Sequence, residues 1–440
     1  MTFLQDASWN VLWLLVLIGV MILIHELGHY WAALLFDVRV DAFSFGFGPR
    51  LFGFRRGETD FRFSLILFGG YVKMAGEQPS DENASDPRSF MAKPRWQRLI
   101  IAFAGPFMNI ILAVVILTGL FMVRFPKLPN DPSPTIGYVT PDGAAAKAGI
   151  REGDRIVRIE NSENPTWEDV AIKAATSGDH SMDVWVERGG KRQRLAMTPT
   201  LDPHTGIGVA GWEEQGQIQI AGFQAGMDAE RAGLRIGDIL AGINGVAIRS
   251  QPQMLSLISG AEGKPVEIEY LRSGHSNKVL VTPLKSKADG AERWMIGVRL
   301  QPRMVFVSLS FPDAVSESIR QNTKDATMIY TFLRGIVERK MSPKSLTGPI
   351  GIGKAAGDAA REGALPFFGL MSMVSLNLAI FNLLPIPILD GGMILMLLVE
   401  MLMRRDMSLQ VKETVVKLGF VFLMMVVAFV LYNDISKMAL

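Results

Sequence analysis

The residues best suited to chemistry are His25, Glu26 and His29, which form the pattern H-E-x-x-H. On an α-helix, residues four apart lie on one face, so both imidazoles can bind the same metal ion. Imidazole is a common zinc ligand, and a glutamate at this position can act as a general base toward water. The pattern therefore predicts a hydrolytic zinc site, although so short a pattern also occurs by chance.

The segment that must position these residues is apolar throughout. Between Val11 and Phe36 the only charged or imidazole residues are His25, Glu26 and His29. Such a run is long enough to span a bilayer, and ionisable groups inside it are costly enough to indicate a functional site. No Lys or Arg and no small-residue cleavage site accompany the run, so we expect a retained helix rather than a signal peptide.

Composition indicates a membrane part joined to a soluble part. The chain has 440 residues with 20% charged residues, and its mean hydropathy is +0.23. The net charge of +2 gives no reason to expect a nucleic-acid partner. The chain has no cysteine, so disulfides and thiolate ligands are excluded, and zinc must be held by histidine and carboxylate.

Two stretches after the first span alternate aromatic residues with glycine. They run from Phe43 to Phe54 and from Phe61 to Lys73, and the first contains Gly46 and Gly48. This alternation predicts short β-hairpins that are too irregular to span but can sit at membrane depth if buried in protein. Their free edge could hold an extended peptide. The alternative is an aromatic loop in water.

Residues 132–301 contain an internal repeat. The stretch from Ala148 to Asn161 aligns with that from Ala232 to Gly245, and both carry A-G-[IL]-x-x-G-D. The two copies, 132–210 and 211–301, resemble circularly permuted bacterial PDZ domains. That resemblance implies two α+β domains that bind extended chain termini by strand addition. The alternative is that they serve as spacers.

Three more apolar segments complete a predicted four-span bundle. The four predicted spans are residues 1–36, 98–124, 365–403 and 413–434. A cytoplasmic loop with the β-region, residues 37–97, joins the first two spans, and amphipathic interfacial helices are predicted for residues 302–364. The second span contains Asn109, a polar residue that faces either a neighbouring helix or the zinc cavity.

The third span contains the candidate for a third zinc ligand. Asp390 is the only carboxylate between Leu365 and Val399, and it follows Pro385 and Pro387, which break the helix. With both histidines it would leave the fourth zinc position open, as catalytic sites require. A helix cap is the alternative role for Asp390. Asn382 either binds a substrate carbonyl or makes a structural bond to unwound backbone.

Charge asymmetry sets the orientation. The loop after the first span and the approach to the last span are both rich in Lys and Arg, which places both on the cytoplasmic side. Four spans then put the repeat pair outside, which in a Gram-negative cell is the periplasm.

Taken together, these motifs resemble the site-2 protease family of intramembrane zinc metalloproteases, in its regulator of sigma-E protease branch with two PDZ domains. The resemblance implies one zinc ion held by His25, His29 and Asp390, with Glu26 as base. It also implies substrate contacts from Asn382, Pro385, Pro387 and from Gly46 and Gly48 in a membrane-associated β-region. Met393 departs from the family pattern, which has histidine after L-D-G-G.

We therefore predict a multi-domain membrane protein with a four-span helical bundle, membrane-associated β-hairpins and two PDZ domains. It is expected to be a monomeric protease of the bacterial inner membrane that cleaves membrane-spanning segments, including those of anti-sigma factors and signal-peptide remnants. The alternative is a membrane-anchored PDZ scaffold without activity. A transporter is not indicated, because no repetition relates the spans.

Overall fold

A computed structural model of the chain describes residues 3–77, 86–123, 125–127, 134–224, 226–288, 291–303 and 305–438. Contacts divide the chain into two compact units. The first unit comprises residues 1–125, 307–330 and 346–440, and the second comprises residues 126–306 and 331–345.

Helices dominate the first unit and are short in the second. In chain order the described helices are α1 (Phe3–Leu35), α2 (Arg95–Met122), α3 (Ala144–Lys147), α4 (Trp167–Ala175), α5 (Asp228–Arg231), α6 (Gln251–Gly260), α7 (Phe311–Val337), α8 (Pro349–Glu362), α9 (Ala364–Leu383), α10 (Asp390–Met403) and α11 (Leu409–Met438).

Strands form one hairpin early in the chain and the sheets of the second unit. They are β1 (Val40–Arg56), β2 (Thr59–Met74), β3 (Phe125–Lys127), β4 (Ile136–Val139), β5 (Arg155–Ile159), β6 (Ser162–Glu163), β7 (Met182–Arg188), β8 (Lys191–Met197), β9 (Thr200–Leu201), β10 (Gly208–Val209), β11 (Trp212–Glu214), β12 (Ile218–Phe223), β13 (Ile239–Ile243), β14 (Val246–Ala247), β15 (Val266–Arg272), β16 (His275–Val281), β17 (Leu284–Ala288), β18 (Ala291–Met295), β19 (Val298–Pro302) and β20 (Val305–Val307).

The predicted membrane bundle is confirmed by length and composition. Within the described residues, four helices are long and apolar enough to cross a membrane: Gln5–Leu35, Arg95–Met122, Ala364–Leu383 and Gln410–Ser436. The predicted third segment over 365–403 consists of two helices, α9 and α10, because Pro385 and Pro387 lack the backbone N–H that a continuous helix needs.

Polar side chains tie the apolar helices of the first unit together. The hydroxyls of Ser372 and Ser375 on α9 donate to backbone oxygens of α2, each at 2.9 Å. Ser318 on α7 also donates to α2, at Val114 O. The buried Asp434 of α11 accepts three backbone N–H groups around the start of α8, at 2.9 to 3.1 Å. In apolar surroundings such bonds satisfy groups that would otherwise be costly to bury.

The predicted β-region is confirmed, with strands longer than the sequence pattern suggests. Strand β1 has 17 residues and β2 has 16, and they form an antiparallel hairpin with several register shifts. The hairpin folds back on itself, because residues 42–45 pair both with residues 70–73 and with residues 60–63. Gly46 and Gly48 have positive φ values of 93° and 86° inside β1. These irregularities interrupt the two-residue alternation, which is why the sequence pattern appeared to describe separate short strands.

The second unit contains the two repeats, which have the same order of elements. In the first repeat β5, β7 and β8 form an antiparallel sheet with β6, and α4 follows β6. In the second repeat β13, β15 and β16 correspond to them, and α6 corresponds to α4. Strand β11 pairs with β4, so Trp212–Glu214 lies with the first repeat and not with the second.

One ion pair recurs in both repeats and explains the aspartate of the repeated motif. Asp154 and Asp238 are buried, and each accepts two bonds, at 2.7–2.8 Å, from an arginine 34 residues later, Arg188 or Arg272. Each aspartate also accepts a backbone N–H from three residues earlier. The aspartate therefore closes the turn before the following strand and anchors a distant strand to it.

We predict that Arg188→Ala destabilises the first repeat by about 3 kcal/mol, because it leaves the Asp154 carboxylate buried without its charge partner. Arg192→Ala, on the exposed side of the adjacent β8, is the matched control. Thermal unfolding or protease resistance of the full chain measures the difference. Equal stability of the two variants would contradict this role of the ion pair.

Candidate metal centre

Helix α1 brings His25, Glu26 and His29 into one turn. The two histidine Nε2 atoms lie 3.2 Å apart, and both residues are 8% exposed. Neighbouring residues of α1 are apolar and helix-forming, so the turn is continuous and the four-residue spacing directs both imidazoles to one side.

Asp390 reaches the histidines because the chain unwinds between α9 and α10. Residues Leu384–Leu389 form this break, and Ile388 within it has φ of 85°, a strained value for a β-branched residue. A side chain at Gly391 or Gly392 would lie 2.2–2.4 Å from backbone oxygens of the preceding turn, so only glycine fits there. The tight turn sets Asp390 at the first position of α10, beside α1.

The three side chains have the geometry of a zinc site. Asp390 oxygens lie 3.1 Å from His25 Nε2 and 3.5 Å from His29 Nε2. Zinc bonds of about 2.0–2.2 Å in a tetrahedron separate ligand atoms by about 3.3–3.6 Å. The observed separations are close to those edges: 3.2 Å between the two Nε2 atoms, 3.1 Å from His25 Nε2 to Asp390 Oδ2 and 3.5 Å from His29 Nε2 to Asp390 Oδ1. The residues present therefore fit a zinc ion with one coordination position left for another ligand.

Two glycines allow α1 and α2 to approach at this level. An added Cβ at Gly28 would lie 2.3 Å from Ala104 O, and one at Gly105 would lie 2.3 Å from His29 Nε2 and 2.8 Å from His25 Nε2. A side chain at Gly105 would occupy the space between the two imidazoles. The backbone of α2 therefore forms one wall of the metal centre.

Each histidine has a hydrogen-bond partner on α2 at its second ring nitrogen. His29 Nδ1 lies 2.8 Å from Ile101 O, so its Nδ1–H can donate and its Nε2 is free to bind a metal. His25 Nδ1 lies 3.3 Å from the amide of Asn109, which is completely buried. The sequence left open whether Asn109 faces a neighbouring helix or the zinc cavity. In the structure its side chain lies beside His25, on the side of the candidate metal centre.

Glu26 lies between α1 and the hairpin. Its side chain lines the same cavity as Val72 of β2. An added Cβ at Gly70 would lie 3.1 Å from Glu26 Cγ, so the backbone of β2 passes directly over this side chain. Glu26 faces the same cavity as the histidines and Asp390 without being one of the three clustered ligands.

A cavity of about 200 Å³ adjoins the metal centre. Its walls come from α1, α10, the start of α2 and the end of β2. Met393 of α10 is one of the residues that line it. Met393 therefore presents a thioether where the family pattern has histidine. The residues that line the cavity are His25, Glu26, His29, Gly70, Tyr71, Val72, Met74, Glu77, Phe90, Ile101, Ala102, Asp390 and Met393.

The residues predicted to contact substrate do not line this cavity. Asn382 lies in the last turn of α9, and Pro385 and Pro387 lie in the break that leads to Asp390. Gly46 and Gly48 lie in β1, where Phe45 pairs with Gly70 of β2. Their substrate contacts therefore stay a prediction. Sequence reasoning missed Gly28, Gly105, Gly70 and Val72, which become visible only when the elements pack.

Comparisons with known proteins identify the family of the chain. The model for Peptidase family M50 matches residues 13–426. A Treponema pallidum protein described by name as a zinc metalloprotease is 31% identical, over 96% of this chain and 97% of its own. Regulator of sigma E protease from Salmonella typhimurium is 29% identical, over 98% and 99%. Regulator of sigma-E protease RseP from Escherichia coli is 27% identical over the same shares.

A family match that extends over nearly the whole chain includes every element that builds the metal centre, from α1 to α10. The chain belongs to peptidase family M50.

Proposed function

We propose that this protein is an intramembrane zinc metalloprotease that cleaves membrane-spanning segments of other proteins. The observation that carries the proposal is the cluster of His25, His29 and Asp390 at separations close to tetrahedral edges, with Glu26 beside it. His25, Glu26 and His29 lie on a helix apolar enough to cross a membrane, and Asp390 lies just after a second such helix. A membrane-anchored scaffold would have no use for two imidazoles and two carboxylates in such a place.

His25, His29 and Asp390 would hold one zinc ion, and Glu26 would act as the proton carrier. When bound, zinc supplies a Lewis acid that polarises the scissile carbonyl and activates water. Glu26 then takes a proton from water and returns it to the leaving amine. The position of Glu26 supports this role, because its side chain lines the same cavity as the histidines and Asp390.

A substrate segment must be extended at the point of cleavage. The end of β2 is suited to hold it, because Gly70 brings the strand backbone beside Glu26. We propose that the unwound segment pairs with this hairpin, whose shape Gly46 and Gly48 set, as extended peptides add to sheet edges. Asn382 would bind a substrate carbonyl, and Pro385 and Pro387 would shape the break that the segment passes.

The two repeats are proposed to be PDZ domains that act together as a size filter. Their contacts support a rigid pair, because Gln253 donates to Glu152 at 3.1 Å and an added Cβ at Gly137 would lie 2.8 Å from Arg249 O. In the first repeat, the stretch 206–209, which contains Gly206 and Gly208, already packs against other parts of the second unit. Ser342 N–H donates to Gly206 O at 2.7 Å, and an added Cβ at Gly208 would lie 2.3 Å from Ala174 O of α4. This packing disfavours capture of a chain terminus there.

We place the protein in the bacterial inner membrane as a monomer, with the repeat pair in the periplasm. The Lys and Arg residues around the hairpin and before the last span support a cytoplasmic position for those loops. Because its relatives include proteins named regulator of sigma-E protease, we expect substrates of the anti-sigma factor type that an earlier cut has shortened.

We predict that Glu26→Gln lowers the cleavage rate of a reporter membrane segment by at least about 100-fold while zinc stays bound, since the amide cannot carry the proton. Asp390→Ala is expected to lose both activity and zinc, because it removes a ligand. Metal analysis of both purified variants makes the comparison. Normal turnover in Glu26→Gln would exclude this mechanism, and full zinc occupancy in Asp390→Ala would show that the third ligand is another residue.

The orientation is testable because the natural chain has no cysteine. A single cysteine at Ser162 should react with an impermeant reagent from the periplasmic side, whereas one at the exposed Ser408 should not. Permeabilised cells, in which both should react, provide the control. The opposite labelling pattern would overturn the proposed orientation.

The filter predicts a gain of activity on deletion. Replacing Pro134–Gln301 by a short linker should let the enzyme cut substrates that keep a folded external domain, whereas Arg299→Glu on β19, an edge strand, should change little. Cleavage of full-length and shortened substrates is compared in both variants. If the deletion leaves full-length substrates uncut and the edge substitution stops cleavage of shortened ones, the domains capture termini instead.

A further inference from the structure

The side chain of Asn109 is the feature of the metal centre that the proposed function leaves unexplained. It is completely buried on α2, with its Nδ2 atom 3.3 Å from His25 Nδ1. Its Oδ1 atom is buried and has no hydrogen-bond partner among the described residues. A buried amide in apolar surroundings is costly unless it makes a specific bond, so its presence beside a proposed zinc ligand needs a reason.

The chemistry of a ligating histidine supplies that reason. A His25 side chain that binds metal through Nε2 carries its proton on Nδ1. That Nδ1–H needs an acceptor, as His29 Nδ1 has in the Ile101 carbonyl at 2.8 Å. The polar group within hydrogen-bond distance of His25 Nδ1 is the NH2 of Asn109, which can only donate.

Rotation of the amide by 180° exchanges Oδ1 and Nδ2 without changing the shape of the side chain, and the two orientations are distinguished only by hydrogen bonding. In the rotated form Oδ1 accepts the proton of His25 Nδ1. The backbone of the same residue is held in place, since Asn109 O accepts a bond from Ser375 at 2.9 Å. The amide can therefore adopt the rotated orientation without any shift of α2.

We propose that Asn109 is a positioning residue for the metal centre, whose Oδ1 accepts the His25 Nδ1–H bond and so fixes the tautomer and ring orientation in which His25 binds zinc. Ile101 O does the same for His29 with a backbone atom. Each imidazole from α1 is thus oriented by α2, which itself contributes no ligand to the cluster. This inference rests on the proposed zinc site.

The test is zinc affinity, measured by competition with a chromophoric chelator on the full-length protein in detergent. Asn109→Leu keeps the volume and removes the acceptor, and we expect it to weaken zinc binding by about 10- to 100-fold. Asn109→Asp keeps an acceptor and should restore binding to within a few-fold of the unsubstituted protein. Asn322→Leu, at another buried asparagine of the same unit, is the control for a general packing effect.

The two variants distinguish positioning from packing. If Asn109→Leu binds zinc as tightly as Asn322→Leu, or if Asn109→Asp binds as weakly as Asn109→Leu, the proposal is wrong. Should Asn109→Leu fail to fold, near-normal zinc affinity in Asn109→Asp supports the acceptor role and a large loss overturns it. Absence of zinc binding by the unsubstituted protein would overturn the proposed function as well.

Discussion

The structure depends on one electrostatic constraint, which is the placement of two half-buried carboxylates and two buried imidazoles among apolar helices. Glu26 and Asp390 carry two negative charges when ionised, and desolvating each costs several kcal/mol unless a cation compensates. A divalent ion held by His25, His29 and Asp390 would balance both charges. The cluster is therefore best understood as a site built around a cation, and its helices are arranged to bring the ligands within about 3.5 Å of each other.

Close approach of the elements meets this constraint. Gly28 and Gly105 let α1 and α2 pack at the level of the histidines, and the break before α10 lets Asp390 reach them. Serine hydroxyls of α9 bond to the backbone of α2, which fixes the helix that orients both imidazoles. The hairpin completes the site from the other side, because Gly70 and Val72 line the cavity beside Glu26. In the proposed mechanism, positioning, acid–base chemistry and substrate pairing share one set of contacts.

Much of this could be predicted from the sequence, because strong local patterns carry it. The histidine pair, the single carboxylate in the third span and the four apolar runs are local features, and the structure brings His25, His29 and Asp390 together as expected. Other features depend on packing that no local pattern encodes. A uniformly apolar helix does not reveal which face Asn109 presents, bulges at Gly46 and Gly48 concealed the length of the hairpin, and Arg188 lies 34 residues from its partner Asp154.

The most direct test of the central claim is X-ray absorption spectroscopy at the zinc edge of the purified, active protein. We predict a four-coordinate ion with nitrogen and oxygen neighbours at about 2.0–2.2 Å, and outer-shell scattering from two imidazole rings. The carboxylate of Asp390 and one exchangeable ligand account for the remaining positions. A spectrum with no imidazole scattering, or with six oxygen neighbours, would contradict a zinc site formed by His25, His29 and Asp390.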